Sequence, residues 1–137
     1  MSSRELALAD LWASQVSPDG HPTRFVREQL DEMGVVGAGA LRTLHDKDKV
    51  LVAGVVTHRQ RPATAGGTTF LNLEDETGLI NVVVSRGCWL RHREVARSSI
   101  ALIIRGQVQA SEGVVNIVAE RIHALDLAVP LRSRDFR

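Results

Sequence analysis

The chain has 137 residues, 44% hydrophobic and 24% charged, a balance that excludes wholesale disorder, a collagen-like repeat and a disulfide scaffold. Its 17 Lys and Arg nearly cancel 16 Asp and Glu, so at a net charge of +1 any nucleic-acid affinity has to come from local patches. Cys88 is the only cysteine, which rules out an internal disulfide and fits a reducing, cytoplasmic setting, and no apolar run has the length of a membrane span.

Residues 1–49 carry six basic and eight acidic side chains and residues 50–137 eleven and eight, and the pattern of apolar residues changes at the same point. In the first part, Leu6, Leu8, Leu11 and Trp12 predict a short helix that Ser17, Pro18, Asp19 and Gly20 stop with a turn. His21, Pro22 and Thr23 predict the start of a second helix, with Phe25, Val26, Leu30 and Met33 on one buried face and Gly34 as its C-terminal cap.

From Val50 to Arg59 the valine-rich run predicts a strand, followed by a flexible loop over Arg61 to Gly67. Thr68 to Leu73 alternates, which puts Thr69, Leu71 and Leu73 toward a core and Thr68, Phe70 and Asn72 outward. Glu74 to Gly78 is an acidic turn in which Asp75 accepts backbone hydrogen bonds. Leu79 to Ser85 is the next strand, with Asn81 outside and Ile80, Val82 and Val84 inside. Gly87 to Arg97 reads as a short helix contacting the core through Trp89, Leu90 and Val95. Ser99 to Gln109 is a fourth strand, with Ile100, Leu102, Ile104, Gly106 and Val108 on one face and Arg105, Gln107 and Gln109 on the other. Ser111, Glu112 and Gly113 turn the chain into a fifth strand, Val114 to Ile122, whose valines leave its register open, and Val129 to Arg137 is an extended basic tail.

Three strands, a helix and two strands is the order of an OB-fold, a mostly β, five-stranded Greek-key barrel with a helix between strands three and four, here preceded by two short N-terminal helices. Another five-stranded barrel, or an open sheet packed on helices, satisfies the same order. The chain divides into a helical extension and linker (1–48), the OB-fold (49–126) and the tail (127–137).

The run VVTHRQRPATAGGTTFLNLEDETGLINVVV, Val55 to Val84, resembles the OB-fold region of bacterial C-family DNA polymerases, the relatives of the polymerase III alpha subunit. The flanks ALADLWASQVSPDGHPTRFVREQLDEMGV and LAVPLRSRDFR resemble the C-terminal end of the error-prone, damage-induced branch, so the resemblance spans essentially the whole chain. It implies a role in DNA repair and translesion synthesis, with the OB-fold contacting template single strand or partner proteins. The palm domain that holds that family's catalytic metals has no counterpart here, and Glu74, Asp75 and Glu76 are consecutive acids on a turn rather than converging ligands. The expectation is a C-terminal piece without polymerase activity of its own, a fragment or a product of gene truncation.

Single-strand binders of this fold combine basic residues for phosphates with aromatic faces on which bases stack. His58, Arg59 and Arg61 supply the first and Phe70 the second, with Asn72, Asn81 and Arg105 as rim contacts. Phe70 could instead pack beneath the N-terminal helices or the tail. Trp12, Phe25 and Trp89 are expected to be taken up in helix packing. Arg86, Arg91, Arg93 and Arg97 form a second basic cluster on the helix, and Arg132, Arg134, Phe136 and Arg137 in the tail are candidates for docking a partner. The scattered histidines and lone Cys88 predict no metal and no nucleophile, and no cofactor or small-molecule substrate is expected. The expected partner is single-stranded DNA. The rivals are a protein interaction module that docks a polymerase to the sliding clamp or to translesion accessory proteins, and a stand-alone RNA-binding or anticodon-binding domain.

Overall fold

A computed structural model describes residues 20–62 and 66–127, so the expected helix around Leu6 to Trp12 and the tail candidates Arg132, Arg134, Phe136 and Arg137 lie outside the described residues. The His21 imidazole accepts from the Thr23 N–H and caps a 3-10 helix, Pro22–Val26, that runs straight into α1, Arg27–Glu32. Gly34 ends it at φ +84°, where a side chain would be strained. Val26 and Leu30 are buried as expected, but Phe25 is 63% exposed. The irregular first turn explains this, because 3-10 winding rotates Phe25 off the face that α-helical spacing would give it.

A second 3-10 helix, Ala38–Thr43, leads into the strands β1 (Lys49–Gln60), β2 (Thr69–Asp75) and β3 (Gly78–Val84). The helix α2 (Arg86–Ser98), β4 (Ala101–Ser111) and β5 (Val114–Ala124) follow. The sheet closes in the order β1-β2-β3-β5-β4, with only β3 and β5 parallel, so no long edge is left unpaired. This is the OB-fold order, with the helix between β3 and β4. One long strand serves two partners: β1 pairs with β4 from Lys49 to Val55 and with β2 from Val55 to Gln60. Gly54 makes that coiling possible, since a Cβ there would sit 2.8 Å from the Glu74 carbonyl oxygen.

Leu71, Leu73, Ile80, Val82, Val84, Leu102, Ile104 and Val108 fill the barrel as their alternation requires. The β5 register is settled by a shift opposite Arg105 and Gly106, which leaves Glu120 unpaired and lets Ile117, Ala119 and Ile122 all point inward. Trp89 of α2 is buried, whereas Leu90 is 57% exposed, one position round the helix from the barrel.

A second core lies outside the barrel. Val26, Leu30 and Val35 cover Ala53 of β1, Ala101 and Ile103 of β4, and Leu125. The chain is also stitched on here by the Val36 N–H donating to the Leu51 carbonyl at 2.9 Å. At the far end of this segment Arg27 grips the β2–β3 turn, with Nε 2.7 Å and Nη2 2.9 Å from the two Glu76 oxygens and Nη2 3.5 Å from Asp75. The Thr23 hydroxyl donates to Glu76 Oε1 at 2.8 Å and accepts from the Glu76 N–H at 3.0 Å. Asp75 Oδ1 takes the Thr77 and Gly78 N–H groups, the turn role expected of it, and its other oxygen takes the Ala38 N–H at 2.8 Å. The acidic turn is therefore a buried anchor for the N-terminal segment as well as a turn.

Candidate nucleic-acid interface

The outer surface of β2, β3 and β5 is built by the pleat. Leu71, Leu73, Ile80, Val82 and Ile117 turn inward, so the residues between them must face out. Cross-strand register then lines up two rows: Phe70, Val83, Val118 and Gln107 in one, and Asn72, Asn81, Asn116 and Gln109 in the other, each crossing β2, β3, β5 and β4. Asn72 donates from Nδ2 to Asn81 Oδ1 at 2.7 Å, which leaves Asn72 Oδ1 and the Asn81 side-chain amide hydrogens for other partners. Leu79 and Val114, each two residues before an asparagine of the row, are 62% and 53% exposed and border it on the far side. Phe70 is 39% exposed.

This surface unites Phe70, Asn72 and Asn81. His58 lies opposite Asn72 and is exposed, with Nδ1 3.2 Å from the Thr57 hydroxyl. Arg61 is exposed just beyond the end of β1. Two of the expected residues fall elsewhere. A register shift between Val56 and His58 places Arg59 opposite inward-facing Leu71 and Gln60 opposite Phe70. Arg59 therefore reaches the C-terminal end of α2, donating from Nε to the Ala96 carbonyl at 2.9 Å and from Nη2 to the Ser99 carbonyl. It neutralises the negative end of the helix there, and burial lowers its pKa from the ordinary value. Arg105 lies on β4, two residues beyond the Gln107 that ends the Phe70 row and opposite Arg121, so it sits past the end of this surface rather than beside Phe70.

Asn116, Gln109, Leu79 and Val114 complete the surface. Asn116 is not legible in the sequence because the β5 register is open there, and Gln109 needs that register to give it a neighbour. Among the described residues no three His, Cys, Asp or Glu side chains are placed to hold a metal ion. Cys88 is buried, and burial raises its thiol pKa. No helix among the described residues is long and apolar enough to cross a membrane.

Such a face, with an aromatic ring, aliphatic side chains and amides on strands two and three of a small barrel, can stack bases and hydrogen-bond their edges. The family model for the OB-fold nucleic acid binding domain matches residues 50–125. The chain belongs to this family. Along its whole length it also resembles error-prone DNA polymerases. It is 59% identical to that of Mycobacterium tuberculosis (strain ATCC 25618 / H37Rv) over 137 residues, all of this chain and 12% of the relative. It is 49% identical to that of Corynebacterium glutamicum over 139 residues, all of this chain and 13% of the relative. The chain thus spans about an eighth of the length of these curated relatives. Among solved structures it is similar to asparaginyl-tRNA synthetase from Pyrococcus horikoshii, with a TM-score of 0.54 and 26% identity over 66% of this chain and 22% of that one. The hypothetical protein ygiW from E. coli shares the fold, with a TM-score of 0.50 and 19% identity over 66% of this chain and 89% of that one.

Proposed function

We propose that this OB-fold is a non-catalytic module that binds single-stranded DNA across the outer face of β2, β3 and β5, as the template-holding part of a cytoplasmic error-prone polymerase used in repair and translesion synthesis. The observation that carries the reading is the row of Asn72, Asn81, Asn116 and Gln109 beside Phe70, on a face where Phe70, Leu79, Asn81, Gln109 and Val114 are exposed. Four amides side by side offer donors and acceptors to base edges, and Phe70 offers a stacking platform. His58 and Arg61 supply charge at the border. The binding domain in this reading is residues 49–126. The similarity to error-prone polymerases supports DNA as the ligand, while the similarity to an aminoacyl-tRNA synthetase keeps RNA as the comparison.

The test is fluorescence anisotropy of a labelled single strand of ~20 nucleotides at low and moderate salt, with wild type beside Phe70→Ala and RNA of the same sequence as competitor. The expected result is salt-sensitive binding, weakened by about 1–3 kcal/mol in the variant, with DNA preferred. No binding at low salt overturns the reading. The second reading is then favoured, in which exposed Leu79 and Val114 dock a protein such as the sliding clamp or a translesion accessory factor.

A further inference from the structure

Beyond the amide row, the outer surface of β4 and β5 changes character. Outward positions on β4 run Gln109, Gln107, Arg105, and on β5 Asn116, Val118 and, past the bulge, Arg121, which lies opposite Arg105. His123 follows, opposite Ile103. Arg105, Arg121 and His123 are all exposed. The helix α2 packs against β5 and adds a third arginine, Arg91, beside His92, whose imidazole is held below its ordinary pKa by burial and then by the nearby charges of Arg91, His123 and Arg121. Glu120, the acid at the bulge, is engaged by Lys49. Among the described residues, no ion pair involves Arg91, Arg105 or Arg121.

Like charges gathered without counter-ions raise the energy of a fold and attract a polyanion. Three guanidinium forks suit phosphate oxygens in particular, since each can offer two parallel N–H groups. We infer that Arg91, Arg105 and Arg121, flanked by His123, form a second track that takes the sugar-phosphate backbone of a single strand as it leaves the amide face. From Gln109 to Arg105 is four residues of extended chain, about 13 Å, so a strand seated on the amides reaches the arginines within a few nucleotides. That continuity favours nucleic acid over an acidic protein. The direction of the track rests on the single-strand reading above, whereas the cationic cluster itself does not.

The experiment titrates labelled single strands of ~6 and ~30 nucleotides over a range of salt, using wild type, Phe70→Ala and the triple variant Arg91→Gln/Arg105→Gln/Arg121→Gln. Thermal melts and the three single variants check that the fold survives. The triple variant is expected to bind the long strand at least ~10-fold more weakly at low salt, to lose about two from the slope of log affinity against log salt, and to bind the short strand within ~2-fold of wild type. An unchanged slope on the long strand overturns the track and leaves the amide-face reading standing. Equal weakening on both lengths also overturns it, because the arginines would then belong to the primary site. If the triple variant loses the long strand while Phe70→Ala binds both strands as wild type does, the track stands and the amide face fails. If wild type binds neither strand at low salt, both fall.

Discussion

The barrel has two outer faces built from similar strands, and the protein treats them in opposite ways. Over β1 and β4 the outward residues Ala53, Ala101 and Ile103 are small or aliphatic and are sealed by Val26, Leu30 and Val35 from the N-terminal segment. Over β2, β3 and β5 the outward residues are Phe70, Asn72, Asn81, Val83 and Asn116, of which Phe70 and Asn81 are exposed and the other three half-buried. An apolar face that the chain covers for itself contributes stability. A face mixing amides with exposed Phe70, Leu79 and Val114 contributes little to folding and is suited to a ligand with both flat and hydrogen-bonding surfaces. Substitutions in the first region are therefore expected to change stability and spare binding, and those in the second to do the reverse.

The largest effect is expected where the two regions meet, at Arg27. Replacing it by Ala leaves Asp75 and Glu76, whose side chains are 0% and 5% exposed, as buried charges without a cation. Breaking a buried pair from one side costs about 3–5 kcal/mol, so chemical denaturation of Arg27→Ala is expected to show a loss in that range. A loss under about 1 kcal/mol would mean that the anchor is not closed in solution. Leu30→Ala follows. Leu30 is fully buried in the outer core, and its truncation is expected to destabilise by about 2–5 kcal/mol while leaving single-strand affinity of the folded fraction unchanged. A fall in affinity without a fall in stability would break the division between the faces.

Acid supplies the next test. Burial would raise the Glu76 carboxyl, but the Arg27 guanidinium, the Glu76 backbone N–H and the Thr23 hydroxyl together hold it down at about 2. A carboxylate with a depressed pKa contributes stability that is complete above its unfolded value of 4.5 and is lost as pH falls toward 2. That contribution is on the order of 3 kcal/mol. His21 acts in the same direction at higher pH: burial, only partly offset by Glu74 3.3 Å away, lowers its pKa, so protonation below 6.5 favours the unfolded chain. Melting temperature is expected to fall in two stages on acidification, first below 6.5 and then below 4.5, and Glu76→Gln is expected to remove the second stage.

Most of the barrel is legible in the sequence because its interior obeys a period of two. Leu71, Leu73, Ile80 and Val82 are spaced two apart around Asn72 and Asn81, Leu102 and Ile104 keep the same period, and each is buried. Legibility fails where the period breaks. The bulge opposite Arg105 and Gly106 hides the β5 register and with it Asn116. The acidic turn is plain as a turn, but its partners Thr23 and Arg27 lie 53 and 49 residues away from Glu76, and no local pattern announces a contact at that separation. The second core is hidden for a related reason. Ile103 and Ala101 sit at positions that alternation assigns to solvent, and only the packing of another segment makes them interior.

Arg59 gives the smallest expected effect and the sharpest separation of the faces. By its place in the sequence, next to His58 and two residues before Arg61, it is a phosphate contact, but the shift after Val56 turns it toward α2. Its guanidinium donates to the Ala96 and Ser99 carbonyls, groups that a helix end otherwise leaves without partners. Arg59→Ala is therefore expected to lower stability by about 1 kcal/mol through the lost cap, with single-strand affinity within ~2-fold of wild type. Arg61→Ala, which removes a neighbouring exposed charge, is expected to do the opposite, sparing the melt and flattening the salt dependence by about one phosphate contact. If Arg59→Ala instead weakens binding as Arg61→Ala does, the guanidinium leaves the helix end when a strand arrives, and the boundary between the closed and open faces moves by one residue on β1.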